Sequence, residues 1–176
     1  MLIKYRKEVI PTMQAKFGIK NIMAVPKIDK VVINVGIGKV AKDDKFIEKV
    51  VRDLGLLSGQ KPVFRKAKQS ISGFKSRQGM NIGLMVTLRG KRMYDFIDRL
   101  VHVALPRSKD FRGIEVRNFD KMGNLNLGLK EHSIFPEIHY ENLKDIFGLE
   151  VTVVTTAENR EKGIELLRLM GFPVKK

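Results

Sequence analysis

Cysteine and tryptophan are both absent from the 176 residues of the chain. The lack of cysteine excludes disulfide bonds, thiolate metal ligands and a cysteine nucleophile. No run of residues approaches the about 20 apolar positions that a membrane-spanning helix requires, and the first residues hold no apolar stretch of signal-peptide length. Hydrophobic residues still make up 43% of the chain, which is enough for a packed core. The sequence therefore predicts a folded cytoplasmic protein with no membrane partner.

Acidic side chains are absent from the 41 residues between Leu54 and Tyr94, although the whole chain contains 19 of them. The same range carries nine basic residues, which are Lys61, Arg65, Lys66, Lys68, Lys75, Arg77, Arg89, Lys91 and Arg92. A solvated surface normally intersperses charges of both signs. Because the chain also has a formal net charge of +15, this range predicts a face that binds a polyanion, in the first place a nucleic acid.

Signals for catalysis are lacking as well. Gly36-Ile37-Gly38 follows a predicted strand, but the third glycine and the Gly-Lys-Ser/Thr ending of a phosphate loop are missing, so turn glycines explain it better. The spacing of His102, His132 and His139 fits no metal motif. No serine or acid pair resembles a nucleophile elbow. The sequence predicts no catalytic residue, no metal site and no cofactor, and a small enzyme that uses the glycine turn is a weak rival hypothesis.

Apolar residues at helical spacing predict four helices. The first seventeen residues form the first of them. Asp43 or Asp44 is the predicted cap of the second. The third covers the amphipathic stretch that stops at Pro106. The fourth is opened by a capping-box pair, Thr155 with Glu158.

Alternating and β-branched segments predict five strands, at residues 27–35, 62–68, 81–89, 124–129 and 149–156. In the third of these, the residues expected to face the core are Ile82, Leu84, Val86 and Leu88. The mixed order of strands and helices predicts one α+β domain over residues 1–176, with a mostly antiparallel sheet, helices packed on one face and the other face open. The residues on the open face are Asn34, Thr87, Arg89 and Asn126. A polar face of this kind suits RNA.

The segment from about residue 69 to 83 is predicted to be a flexible basic loop, because it is rich in serine and glycine. Lys75 and Arg77 give it positive charge. Phe74 lies beside them and has no evident partner in the core. Two interpretations stay open, one in which Phe74 folds back under the loop and one in which the ring is exposed to a base or ribose.

Together, several segments resemble the bacterial L5 family of large-subunit ribosomal proteins. They are KVVINVGIG at 30–38, GQKP at 59–62, AKQSISGFK at 67–75, IGLMVTLR at 82–89, LPR at 105–107, DFRG at 110–113, GN at 123–124, NLG at 126–128 and FPEI at 135–138. The resemblance covers nearly the whole chain. One departure is Asn81, which stands where the family often has proline, and it puts the conformation at the base of the loop in question.

The resemblance implies a function in the large ribosomal subunit. In this family the sheet face binds loop C of 5S ribosomal RNA, and the matching hydrogen-bonding positions are Asn34, Gln60 and Thr87. The basic residues expected to contact ribosomal RNA beside them are Lys66, Lys68, Arg89 and Arg92. The loop would reach the elbow of peptidyl-site transfer RNA through Phe74, Lys75, Ser76 and Arg77. A contact with protein S-thirteen of the small-subunit head is also implied. The alternative is a regulatory RNA-binding protein outside the ribosome.

Overall fold

A computed structural model describes residues 1–40, 43–74, 76–109, 111–138 and 146–175. The predicted contact residue Lys75 and the histidine at position 139 lie outside these ranges. The described chain forms two compact units. Unit 1 contains Met1–Val31, Leu88–Leu127 and Thr152–Lys176, and unit 2 contains Val32–Thr87 and Gly128–Val151. That residues 1–176 form a single domain stays a prediction.

Four helices are present in the described ranges, and two of them include a π-helical turn. Helix α1 consists of Leu2–Lys4, the π turn Tyr5–Val9, and Ile10–Phe17; α2 is Asp44–Ser58; α3 consists of Gly90–Arg99, the π turn Leu100–Ala104, and Leu105–Arg107; α4 is Arg160–Leu169. No helix of the described chain is both long enough and apolar enough to cross a membrane.

The second helix begins at one of its two predicted caps and ends at a glycine. Asp43 is its N-cap, and the carboxylate Oδ1 accepts a hydrogen bond of 3.1 Å from the Phe46 backbone N–H. At the other end Gly59 adopts a left-handed φ of 65°, a conformation that glycine reaches without a steric penalty. Val50, Leu54 and Leu57 form the buried side of the helix within unit 2.

Pro106 does not stop the third helix, so this prediction is wrong. The π turn over Leu100–Ala104 closes with a hydrogen bond from the Leu105 N–H to the Leu100 carbonyl, and the helix continues through Pro106 to Arg107. Proline disrupts a helix because it lacks an N–H and its ring clashes with the preceding turn. The wider π turn changes the hydrogen-bond register just before Pro106, which lets one more helical turn form.

The last helix is capped by Asn159 and not by Thr155, so the capping-box prediction is also wrong. The Asn159 side chain accepts a hydrogen bond of 2.9 Å from the Lys162 N–H. Thr155 is the buried last residue of a strand, and its hydroxyl donates to the Gly123 carbonyl at 3.1 Å. The threonine hydroxyl is therefore used to hold a neighbouring turn.

Five strands form one sheet. They are β1 Ile28–Gly36, β2 Val63–Lys66, β3 Asn81–Leu88, β4 Leu125–Leu129 and β5 Leu149–Thr155. Their order across the sheet is β2-β3-β1-β5-β4, which places β2 at an edge. An antiparallel sheet combined with helices confirms the predicted α+β class.

Burial alternates along the strands, and one predicted inward residue is exposed. In β3, Leu84, Val86 and Leu88 are buried as expected, but Ile82 is 36% exposed. Ile82 lies next to Gly38, where an added Cβ would be 3.9 Å from the Ile82 Cβ. Because Gly38 has no side chain that could cover Ile82, part of the Ile82 side chain stays exposed.

Candidate nucleic-acid interface

The edge strand β2 carries two consecutive exposed basic side chains, Arg65 and Lys66. Arg65 pairs with Gly83 of β3 and Lys66 pairs with Asn81, so the register shifts here and Ile82 of β3 is the extra residue. Because β2 itself has no inserted residue, Arg65 and Lys66 point to alternate sides of the strand. Arg65 shares the face of Gly83, since directly opposed residues share a face.

Asn34 of unit 2 lies on the same face as Arg65, and Gly83 is next to both. It is exposed between the buried residues Ile33 and Val35 of β1. A Cβ atom added at Gly83 would lie 3.9 Å from the Asn34 Oδ1 and 3.8 Å from the Arg65 Cβ. Gly83 is itself buried, so Asn34 and Arg65 lie close together over the glycine. We call Asn34, Gly83 and Arg65 the sheet-face row.

The other two predicted hydrogen-bonding residues also belong to unit 2. Thr87 has the same alternation as Gly83 on β3 and is half-buried. Gln60 follows the end of α2 and is half-buried. Its backbone is held by the buried Ser58, whose hydroxyl donates to the Leu54 carbonyl at 2.6 Å and accepts from the Gln60 N–H at 3.2 Å. The helix end thereby fixes the position of Gln60.

The cations of this region differ in how far they are compensated. Arg65, Lys66 and Lys68 are exposed and make no ion pair with any residue that the structure describes. In unit 1, Arg89 lies 3.3 Å from the Asp29 carboxylate. Arg92 is exposed on α3 in the same unit. Within unit 2, uncompensated positive charge thus lies along β2 and the residues after it.

The loop after β2 continues as a hairpin and does not fold into the core. The Ala67 N–H donates to the Met80 carbonyl at 2.9 Å, and the Gly79 N–H donates to the Ala67 carbonyl at 3.0 Å. Nearer the tip, Ile71 and Ser76 form an antiparallel bridge. Gly79 has a φ of 85°, which suits glycine in this turn.

The hairpin exposes most of the side chains predicted to contact transfer RNA. Phe74 is 79% exposed, so the alternative in which it folds under the loop is wrong for this structure. Arg77 is exposed and Ser76 is half-buried. An exposed ring beside a cation can stack on a base while the charge meets the phosphate backbone.

One of the three histidines, His132, is a packing residue. His132 is fully buried, and its ring stacks on Phe147 with the centroids 3.9 Å apart. Its Nδ1 accepts a hydrogen bond of 3.2 Å from the Phe147 N–H, and its Nε2 lies 3.9 Å from the Asp53 Oδ2. No group of three or more metal-ligating residues occurs in the described part of the chain.

Arg65 is the residue of this face that sequence reasoning did not single out. It counted only as one of the nine cations between Leu54 and Tyr94. Its place beside Asn34 depends on the pairing of β2 with Gly83 of β3, which the sequence of β2 does not display. The basic composition of the strand predicted at 62–68 was the signal available.

Comparisons with known proteins agree with the resemblance. Residues 81–174 match the C-terminus of the ribosomal L5 family, and residues 21–77 match the family described as Ribosomal protein L5. A Syntrophomonas wolfei protein named large ribosomal subunit protein uL5 is 53% identical over 169 residues, which are 96% of this chain and 95% of that protein. A protein of the same name from Dictyoglomus turgidum is 52% identical over 173 residues, 98% of this chain and 97% of that protein.

A third relative of that name, from Halothermothrix orenii, is 50% identical over 170 residues, 97% of this chain and 95% of its own length. One family match alone covers more than half of the chain. On this basis the chain belongs to the L5 family of ribosomal proteins.

Proposed function

We propose that the chain binds 5S ribosomal RNA through the sheet-face row and helps to attach that RNA to the central protuberance of the large subunit. Family membership makes it a structural protein of the large ribosomal subunit and not an enzyme; in bacteria that subunit is cytoplasmic. The observation that carries the finer proposal is that Arg65, an exposed cation with no ion pair to a described residue, lies beside the exposed Asn34 at Gly83.

The two kinds of side chain on this face have different tasks. Cations that contact phosphates fix position and affinity but carry little sequence information. The amide of Asn34 offers both a donor and an acceptor, and the hydroxyl of Thr87 can do either. Because Gly83 has no side chain, Asn34 and Arg65 lie close together over it, so one nucleotide can meet both groups. We assign recognition to the amides of Asn34 and Gln60 and the hydroxyl of Thr87, and attraction to the cations.

The test compares two pairs of variants on two RNAs. Asn34→Ala or Thr87→Ala should weaken 5S ribosomal RNA binding selectively, by about 1–3 kcal/mol for each lost hydrogen bond. Lys66→Ala or Arg92→Ala should weaken 5S RNA and an unrelated RNA of equal length alike. Filter binding at one salt concentration measures all eight combinations. Equal losses on both RNAs for every variant would contradict the assignment of recognition to Asn34 and Thr87.

We also propose that the hairpin contacts peptidyl-site transfer RNA, with Phe74, Lys75, Ser76 and Arg77 as the contact residues. The exposure of Phe74 supports this, since an isolated domain gains nothing by placing a phenyl ring in water. Replacing residues 72–79 by a short Gly/Ser turn should leave 5S affinity nearly intact, because β2 ends before this segment and β3 begins after it. Ribosomes that carry the variant should release peptidyl-site transfer RNA faster. An unchanged off-rate at full occupancy would refute this part.

The contact with protein S-thirteen of the small-subunit head rests on the family resemblance, and chemical cross-linking within assembled ribosomes tests it directly. The alternative of a regulatory RNA-binding protein outside the ribosome makes a different prediction. A ribosomal protein sediments with large subunits at moderate salt, whereas a regulatory protein would stay in the supernatant.

A further inference from the structure

A cavity of about 870 Å³ lies in unit 2 beside the hairpin. Its size is within the about 300–1,000 Å³ that small-molecule sites commonly occupy. Gly36 and Gly38 form one side, and Phe74, Met80 and Ile82 are among the apolar residues that line the rest. The residues of the sheet-face row do not line it. The cavity is therefore a separate feature from the proposed 5S-binding face.

The walls of the cavity are held by the backbone. The Ala67 N–H bonds to the Met80 carbonyl at 2.9 Å, and the Ile37 N–H bonds to the Ile82 carbonyl at 2.9 Å. Gly36 and Gly38 carry no side chains that would fill the cavity from the opposite wall. A Cβ added at Gly36 would meet nothing within 4 Å. A ligand could thus enter without unfolding the hairpin, and little of its binding free energy would be spent on ordering the site.

The lining combines exposed apolar side chains with a few polar ones. Ile71 and Phe74 are 47% and 79% exposed, although both line the cavity. Lys68, Gln69 and Ser76 provide the polar groups of the lining. Lys68 makes no ion pair with any described residue, and no acid occurs from Leu54 to Tyr94. The chemistry that fits is a flat, apolar ring with hydrogen-bonding edges and an attached anion.

We propose that the cavity takes one unstacked nucleotide of an RNA strand, with its base against Phe74 and Ile82 and its phosphate at Lys68. Gln69 and Ser76 are placed to hydrogen-bond the edge of the base. Aromatic stacking in a positively charged groove is the usual way in which proteins bind unpaired nucleotides. The inference rests on the proposed RNA-binding function, but it concerns a different site from the sheet-face row.

The test uses the absence of tryptophan from the chain. In the Phe74→Trp variant the only indole lines the cavity, and stacking of a base quenches its fluorescence. The probes are a short oligoadenylate and an abasic oligoribose phosphate of equal length, which carry the same charge. The oligoadenylate should bind about tenfold or more tightly than the abasic strand, as expected when one base–aromatic stack is lost. The matched reporter Met23→Trp, at an exposed residue of unit 1, should not distinguish the two probes.

A second variant blocks the cavity. Gly38→Leu, made in the Phe74→Trp background, places a side chain toward Ile82 and should abolish the preference for the oligoadenylate. Equal quenching by both probes in the Phe74→Trp variant, or quenching by neither, would overturn the proposal even if the Gly38→Leu variant does not fold. Filter binding of 5S ribosomal RNA to the unmodified chain is measured in parallel. Loss of base preference with intact 5S binding refutes the nucleotide site alone, whereas absent 5S binding refutes the proposed function.

Discussion

Replacing Arg65 and Lys66 together by alanine should lower the salt dependence of 5S ribosomal RNA binding while leaving the fold intact. The two side chains are neighbours at the end of β2, and neither forms an ion pair with a described residue. Each is therefore free to neutralise a phosphate and release a counterion. Both are exposed on an edge strand, so the free energy of unfolding should change by no more than about 0.5 kcal/mol.

The size of the effect follows from the number of phosphates involved. A neutralised phosphate contributes about 0.7 to the log–log salt slope for single strands and about 0.9 for duplexes. Two lost contacts should make the slope less steep by about 1.4–1.8. Filter binding over a series of salt concentrations measures this slope directly.

A matched control removes the same two positive charges elsewhere. Arg117 and Lys162 of unit 1 each lie 2.6 Å from a carboxylate, of Glu115 and Glu158 respectively. Because those charges are already compensated, Arg117→Ala combined with Lys162→Ala should leave the slope unchanged. If both double variants lower the slope equally, net charge explains RNA binding and the position of Arg65 and Lys66 does not. If neither double variant lowers the slope, Arg65 and Lys66 are solvated surface residues that do not contact phosphates.

Three further predictions concern stability, and urea unfolding measures each. Gly163→Ala should destabilise unit 1 by about 1–3 kcal/mol, because the new Cβ would overlap the Gly123 backbone; an unchanged midpoint would contradict that close approach. Gly55→Ala should raise the free energy of unfolding by about 0.4–1 kcal/mol, because Gly55 lies inside α2 and the added Cβ would meet nothing within 4 Å. A lower urea midpoint would contradict this. Asp120→Ala should lower the free energy of unfolding by about 0.5–1.5 kcal/mol at neutral pH. Desolvation acts to raise the pKa of Asp120, but hydrogen bonds from the Asn124 side chain and from backbone N–H groups outweigh it and lower that pKa. A carboxylate whose pKa is lowered by folding stabilises the fold at pH values above its unfolded pKa of about 3.9, so this loss of stability should shrink as the pH falls below that value; a loss that does not change with pH would refute the assignment.

The regular parts of the fold were predictable because short-range rules determine them. The alternation in β3 requires only that every second residue be apolar, and Leu84, Val86 and Leu88 are buried accordingly. The cap at Asp43 and the left-handed Gly59 follow from local hydrogen bonding and backbone sterics. These features depend on neighbours within a few residues, which a sequence displays directly.

The features that sequence reasoning missed depend on distant partners. Thr155 has the right spacing for a capping box, but its hydroxyl bonds to Gly123, which is 32 residues away. The register shift at Ile82 is a property of the pairing between β2 and β3, so it could not be read from either strand alone. The exposure of Phe74 likewise depends on how the hairpin pairs with itself.

Basic residues on an edge strand have a second physical explanation, and the structure allows the two to be weighed. An exposed edge strand can pair with another chain, and charged side chains on it discourage that contact. Charges of either sign on an edge strand discourage this pairing, so a mixture of acidic and basic residues would protect the edge equally well. β2 instead lies in 41 residues that contain no acid, while cations of unit 1 such as Arg117 and Lys162 are paired with carboxylates. Uncompensated charge of one sign lowers the stability of the folded chain through self-repulsion. Edge protection does not require this loss of stability, whereas binding to a polyanion removes it. RNA binding is therefore the better explanation of why β2 carries Arg65 and Lys66.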